Sequence, residues 1–301
     1  MAIKLRKVAS LPLVRIADIW KMSLKIRVGL SILLFLLFLA FILEPLFCYI
    51  LLKGKNPTAV GAFEPYLSFS FDHPLGTDHL GRDMLVLIIY GFKQSLIIGL
   101  LTGTISLSIG LTLALISGYK GGFIDRLITS ITDVILVIPL LPIIAILAVY
   151  SRRIDLISMC LIMGVLNWPW STRTIRAQVL SLRERPFIEL AKISNLSSLE
   201  IIFKEIMPNL LPYIYVGFAN SIMAAIFTET GIRLIGVGPP ELVTLGLIIN
   251  FCIAFGYLAM QRYYAIILPI LLLTSLFFSL NLINVGLDEV YNPRLKKITG
   301  L

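Results

Sequence analysis

The chain has 301 residues, 58% of them hydrophobic and only 14% charged, with a net charge of +9 and a mean hydropathy of +0.94. A soluble domain carries about 25% charge, so this composition excludes an ordinary water-soluble enzyme and describes a chain solvated by lipid. The basic excess is scattered between apolar runs, which is the pattern of cytoplasmic flanks and not of a nucleic-acid surface.

In chain order, residues 1–27 form a basic N-terminus holding Lys4, Arg6, Lys7, Arg15, Lys21, Lys25 and Arg27. The apolar run 28–52 that follows is longer than a signal-peptide core of ~7–15 residues, and no small-x-small site closes it, so it reads as a retained first transmembrane anchor. Residues 53–94 read as an extracellular loop. Five more helices are expected within 95–284, as apolar runs at 95–117, 131–150, 157–171, 210–235 and 263–284. A further stretch, 242–258, is interrupted by Gly246 and Gly256 and reads as a short outer helix, re-entrant or interfacial. Residues 285–301 form a tail. The fold class is therefore an all-α integral membrane protein with six transmembrane helices. Segments 1–27, 118–130, 172–209 and the tail hold 18 of the 26 Lys and Arg residues, which places both termini in the cytoplasm, against the local pull of Arg152 and Arg153.

Inside the spans, Gly99, Gly103, Ser106 and Gly110 recur at helical spacing and suit close packing in lipid. Glu44, Asp133 and Glu229 are acidic groups within spans or at their ends, where charge is costly and is a functional candidate by default. Cys48, Cys160 and Cys252 stand alone in apolar sequence and carry no metal spacing. In the outer loop, Asp78, Gly81, Arg82 and Asp83, with Pro74 and Gly76, suggest tight turns stiffened by side-chain hydrogen bonds. His73 and His79 lie nearby without the second ligand pair of a zinc site, so no metal is expected. No phosphate-binding lysine loop and no GxSxG context occurs.

Between the fourth and fifth spans, Arg173 to Asn209 carries ten charges. It predicts a helix from Ile175 to Ser194 kinked at Pro186, a left-handed turn at Asn195, and a second helix started by a Ser197–Glu200 capping box and ending near Met207-Pro208. Such a polar bracket on an oily chain exists to be presented to something.

These residues resemble a family. Pro74 to Asp78 and Gly81 to Asp83 are similar to the loop opening the membrane subunits of peptide/nickel-type ABC importers. Gly118 to Asp125, then Asp133 and Pro139, resemble that family's first cytoplasmic loop and third span. Glu189, Leu190 and Ala191, with the later Pro208-Asn209, resemble its EAA loop, and Glu229, Gly236, Gly238 and Pro240 its fifth-span signature. Asn281 and Asn292-Pro293-Arg294 resemble its C-terminal ending. The chain departs from the pattern at Leu190, Asn195, Glu205, Ser130, Arg233 and Leu245, which stand where Ala, Gly, His, Arg, Ser and Trp are usual.

The resemblance implies a type I ABC importer permease in the plasma membrane. It pairs with a homologous permease and works with two ATPase subunits and an extracellular binding protein. It implies no cofactor and no catalysis in this chain, since ATP and Mg are held by the partner subunits. Glu189, Leu190, Ala191, Asn195, Ser197, Leu199 and Glu200 would form the coupling helix, with an apolar docking face of Ile188, Ala191, Leu196, Leu199, Ile202 and Phe203. Tyr213, Tyr215, Phe218, Glu229 and Arg233 would be gate or pathway residues. The solute implied is a di- or oligopeptide, with oligosaccharides or nickel chelates as alternatives. A secondary transporter or channel would show repeats or midplane charge, and an intramembrane enzyme paired catalytic groups; neither pattern is evident.

Overall fold

The computed structural model describes residues 23–150, 155–239 and 241–291. The basic N-terminus before Ser23, Arg152-Arg153, Pro240 and the Asn292-Pro293-Arg294 motif lie outside the described residues. Among the described residues all regular structure is helical apart from an isolated bridge between Thr77 and Asp83. Helix α1 spans Leu24–Leu52, α2 Met84–Lys120, α3 Gly122–Val137, α4 Leu140–Tyr150 and α5 Leu156–Arg183. Then come α6 at Pro186–Ile193, α7 at Ser198–Leu234, α8 at Leu245–Ala254 and α9 at Tyr264–Tyr291.

Among the described residues α1, α2, α7 and α9 are each long and apolar enough to cross a bilayer. The run expected as the third span is divided. Pro139 removes an N–H and disfavours helical backbone before it, so Ile138 is extended at φ −77°, ψ 126° and separates α3 from α4. The fourth apolar run is the first half of α5, which continues unbroken into the polar segment. Helix α2 starts at Met84, eleven residues before the expected apolar run, because Asp83 caps it by accepting from Val86 N at 3.0 Å. It runs on to Lys120, and Gly121 at φ 69° turns the chain directly into α3. The segment 118–130 is thus a turn and a helix, not a loop. Helix α8 has ten residues, about 15 Å of rise and half of what a bilayer core requires.

The small residues of α2 are its packing surface. A Cβ on Gly99 would sit 2.7 Å from Ile226 of α7, and one on Gly110 would sit 2.7 Å from Ser171 of α5. The two glycines therefore serve different neighbours, and α2 is the post between α5 and α7. Helix α9 runs antiparallel to α7, since Asn220 meets Asn284 and Phe227 stacks on Phe277. Its C-terminal end therefore lies beside the start of α7. There Glu289 accepts from Ser23 and Lys25, so the beginning of α1 and the end of α9 share one end of the bundle with α6. The outer loop lies at the other end, where the hydroxyl of Tyr257 accepts from His79 N at 2.8 Å.

Candidate functional site: a polar bracket, a buried ion pair and a pinned outer loop

The bracket is built of two helical pieces clamped by backbone chemistry. Helix α5 stops at Arg183, and Pro186 opens α6 at its first turn, where a missing N–H costs nothing. The expected single helix kinked at Pro186 is therefore corrected to two helices, because proline starts a helix more readily than it bends one. Asn195 adopts φ 57°. Around it Leu196 N donates to Ala191 O at 3.2 Å and Asn195 N to Lys192 O at 3.1 Å, the paired bonds of a Schellman closure. Ser197 and Glu200 form a reciprocal capping box: Glu200 N donates to Ser197 Oγ at 3.3 Å and Ser197 N to Glu200 Oε2 at 3.0 Å. Lys204 Nζ donates to the other carboxylate oxygen at 2.8 Å.

The second helix does not end at Met207-Pro208. Residues Ile201–Ile206 form a π segment, Met207 N reaches back to Ile202 O, and the helix runs on into α7. Pro208 cannot donate to the carbonyl four residues before it. The wider π turn removes the need for that bond and the clash that would accompany it. The same arrangement occurs in α1, where the π segment Leu39–Leu43 precedes Pro45.

The bracket has an inner and an outer face. Ile188, Ala191, Ile201 and Ile206 are buried with Ala114 and Leu115 of α2 and Ile175 and Val179 of α5. Outward stand Leu190 (62% exposed), Ile193 (79%), Leu199 (67%) and Phe203 (59%). Ile188 and Ala191 are thus not on the exposed apolar face, which corrects their expected docking role. Their inward turn seats the bracket on the bundle. Leu196 and Ile202 are half-buried, and Glu189 and Lys192 are exposed. Ile193, which sequence reasoning passed over, is the most exposed apolar residue of the bracket; its place four residues after Glu189 was the available signal.

Two polar ties hold the inner ends of α2, α3 and α5 beneath the bracket. Arg176 donates from Nε and Nη2 to the Asp125 carboxylate at 2.5 and 2.6 Å, and Ser117 Oγ donates to the same group. The Arg176 hydrogen bonds hold the Asp125 carboxyl down at about 2, with burial opposing. Arg183 Nη1 donates to Gly118 O at 3.1 Å. Asp133 pairs with Arg173 at 3.0 Å on an exposed surface.

The candidate pathway residues of α7 do not share one face. Glu229 and Arg233 pair at 3.2 Å and neither side chain is exposed. Glu229 Oε1 also accepts from Thr244 Oγ1 at 2.6 Å, and Arg233 donates to Pro239 O at 2.8 Å and Leu242 O at 3.0 Å. The pair therefore fastens the turn between α7 and α8. Gly238 makes room for the guanidinium and Gly246 for the aliphatic stem, since a Cβ on Gly238 would lie 2.8 Å from Arg233 Nη1 and one on Gly246 3.0 Å from Arg233 Cβ. Tyr213 and Tyr215 are both exposed but lie two residues apart, on nearly opposite sides of the helix. Phe218 packs against the main core. Near the outer end of α1, Glu44 is buried and pairs with Lys93 of α2 at 2.9 Å.

In the outer loop Asp78 Oδ1 accepts from Leu80 N and Arg82 N at 2.9 and 2.8 Å, and its Oδ2 from Arg82 Nε at 2.7 Å. Asp83 contacts His73 Nδ1 at 2.8 Å while capping α2. His79 stacks on Phe255 with centroids 3.8 Å apart. Burial pushes the His79 imidazole below its ordinary range, against the raising effect of Asp78. Arg262 donates to Thr77 O at 3.0 Å and to Tyr66 O, closing the loop onto the start of α9. No group of three or more His, Cys, Asp or Glu that could hold a metal occurs among the described residues.

A continuous helical bundle, a bracket at one end and a pinned loop at the other define a membrane transport subunit. The sequence profile of the binding-protein-dependent transport system inner membrane component family matches residues 110–297, and the chain belongs to that family, the membrane permeases of ABC importers. It is similar to the oligopeptide transport system permease protein OppC of Mycobacterium bovis, 31% identical over 255 residues that cover 79% of this chain and 86% of that protein. The dipeptide transport system permease protein DppC of Bacillus subtilis is 26% identical, over 93% of this chain and 86% of its own length. Among solved structures, an inward-facing form of the MetNI methionine ABC transporter has a chain that matches with a TM-score of 0.55 at 19% identity. That match covers 68% of this chain and 97% of the other, and it shows the shared fold.

Proposed function

We propose that this chain is one of two homologous permease subunits of an ATP-driven peptide importer, with both termini and the bracket in the cytoplasm of a plasma-membrane complex. Two ATPase subunits, which hold ATP and Mg, drive it, and an extracellular binding protein delivers the solute to the outer-loop end. Six crossings suit this reading: α1, α2, the divided α3–α4 run, the first half of α5, α7 and α9.

The observation that carries the proposal is the bracket's apolar ridge, Leu190, Ile193, Leu199 and Phe203, exposed at the end of the bundle where α1 begins and α9 ends. The positive-inside distribution puts this end in water. An apolar ridge rimmed by Glu189, Lys192 and Glu200 in water is a docking surface, and for this family the ATPase is the partner that must be engaged. Asn195, Ser197 and Glu200 give the ridge a fixed shape, so a displacement applied there reaches α7. The peptide assignment rests on the permeases of oligopeptide and dipeptide systems to which the chain is similar.

The test is reconstitution with the cognate ATPases and binding protein. Leu199→Arg and Leu190→Arg are expected to abolish ATP-driven uptake and weaken ATPase co-purification, while the permease pair still assembles. Normal uptake in both variants would remove the coupling role. Calorimetry of the binding protein with di- and oligopeptides against oligosaccharides decides the solute; sugar binding without peptide binding would overturn that part alone.

A further inference from the structure

Midway along α7 an amide faces outward with nothing among the described residues to satisfy its donors. The exposed Thr104 and Thr112 of α2 each donate to a carbonyl four residues back. Asn167, Asn209 and Asn250 each donate an amide N–H to a backbone carbonyl. Asn220 does neither. Its Oδ1 accepts from Asn284 Nδ2 of α9 at 3.1 Å, and among the described residues its own amino group meets no acceptor. Asn220 is exposed, whereas Asn284 is buried and its Oδ1 has no partner. Two polar groups are thus left open at one level of a helix pair that otherwise packs through apolar side chains. A free amide facing hydrocarbon is costly, and polar groups within spans turn to a bundle interior or a water-filled cavity. The Asn220 face of α7 therefore does not face lipid.

The neighbours on that face show what it suits. Tyr213, Asn220 and Phe227 are spaced by seven residues, so they form one stripe with rungs about 10 Å apart. Phe227 is exposed and lies 5.2 Å from Phe277 of α9 at an interplanar angle of 14°, a stacked pair one rung above the amide pair. Glu229 lies nine residues beyond Asn220, on the opposite side of the helix, and is buried against Arg233 and Thr244. The stripe is accordingly neutral. Rotating both amides reverses the Asn220–Asn284 bond, so Asn220 can offer either N–H groups or a carbonyl to what passes it.

We propose that the Tyr213–Asn220–Phe227 stripe lines the translocation path, and that Asn220, braced by Asn284, is the residue of α7 that hydrogen-bonds the backbone of a transiting peptide. This rests on the peptide-importer reading above. A peptide backbone carries a donor and an acceptor at every residue, and about three extended residues span one rung. One amide level between aromatic levels can hold backbone at the first and side chains at the others. Neutral contacts of this kind orient a solute without trapping it, which passage requires. Asn220 is thus a specificity residue distinct from the buried Glu229–Arg233 pair.

The experiment uses the full reconstituted complex with Cys48, Cys160 and Cys252 replaced by alanine. Asn220→Cys is expected to react with a membrane-impermeant methanethiosulfonate, and turnover with trialanine loaded on the binding protein is expected to slow that reaction several-fold. Leu271→Cys, on the exposed apolar face of α9, is expected not to react. In the cysteine-containing complex Asn220→Leu is expected to lower the maximal rate of trialanine uptake about ten-fold. Concentration dependence and binding-protein-stimulated ATPase should be kept, and Asn220→Ser should restore part of the rate. An unreactive thiol in Asn220→Cys, reaction indifferent to trialanine, a spontaneous disulfide from that thiol to the second permease, or unaltered uptake by Asn220→Leu would each overturn the assignment. If the wild-type complex imports no peptide, the peptide reading and this assignment's ligand fall together, while the reactivity of Asn220→Cys still decides whether the stripe lines a water-filled path.

Discussion

Arg233 Nε donates to Glu229 Oε1 at 3.2 Å while its two Nη atoms hold the carbonyls of Pro239 and Leu242, so one side chain joins α7 to the turn that precedes α8. Removing either partner strands a buried charge, which costs about 3–5 kcal/mol, whereas replacing both with neutral groups of similar volume costs far less. Arg233→Met alone is therefore expected to lower the thermal unfolding temperature of the purified complex sharply. Glu229→Gln with Arg233→Met should recover most of it. Equal losses in the single and double variants would show that the hydrogen bonds to Pro239 and Leu242 matter more than the charge.

Asp125 provides the acid-sensitive joint. Its carboxyl is held at about 2 by the Arg176 hydrogen bonds, below its ordinary 3.8. A depressed carboxylate contributes stability that is complete above the unfolded value and is lost as pH falls through the folded one. The window is therefore about pH 4 down to pH 2, and solvent screening at the open edge of the pair limits the contribution to about 1 kcal/mol. Arg176→Ala should flatten stability against pH in that window. Parallel profiles for wild type and variant would remove the pair from the account.

The bracket depends on two local devices that can be separated. Asn195→Ala forces a Cβ-bearing residue without local hydrogen bonding into the left-handed region, at about 1 kcal/mol, while Asn195→Gly relieves it. Ser197→Ala removes the cap and leaves Glu200 N unpaired, again about 1 kcal/mol. Hydrogen exchange at residues 196–201 is expected to rise in both alanine variants and uptake to fall with it, with Asn195→Gly near wild type. Faster exchange without loss of uptake would show that the shape of the bracket does not matter to transport.

The outer loop is intolerant of side chains at its tight approaches. A Cβ on Gly81 would lie 2.1 Å from Phe63 O at a backbone φ of 69°, and one on Gly76 would lie 2.2 Å from Leu67 O. Gly81→Ala is expected to cost more than about 2 kcal/mol through strain alone. Tyr257→Phe, which removes the acceptor of the half-buried amide of His79, is expected to cost about 1 kcal/mol. Limited proteolysis from the outer side should cleave near residues 60–75 in both variants before it cleaves wild type.

Much of the architecture is legible because its signals are local. Apolar length marks α1, α2, α7 and α9, the Ser197–Glu200 spacing marks a helix start, and Asn195 marks a left-handed turn. What escapes depends on contacts between distant residues. Ile188 and Ala191 carry the same apolar signature as Leu190 and Leu199, and only the position of Ile175 and Val179 on α5 decides which pair turns inward. Arg233 reads as a departure at the end of a span because the carbonyls that receive it lie six and nine residues further on, in a turn whose path the sequence does not reveal. Asn220 carries no signal of its own, since an asparagine in an apolar run is informative only once its exposure and the burial of Asn284 are known.

The π segment at Ile201–Ile206 has a mechanical consequence. A break at Pro208 would have left the bracket and the fifth span as two rods on a joint, free to swivel independently. With the helix continuous from Ser198 to Leu234, the two form a single lever about 55 Å long. Under the proposed coupling, a tilt imposed at Leu199 near one tip is delivered at Arg233 near the other. The extra residue within the π turn and Pro212, which has no N–H to donate to the carbonyl four residues back, are points of slack in that lever. Deleting one residue in the π turn would turn everything beyond it by about 100° about the helix axis, swinging the Asn220 stripe toward α2 and leaving the bracket connected to the wrong face.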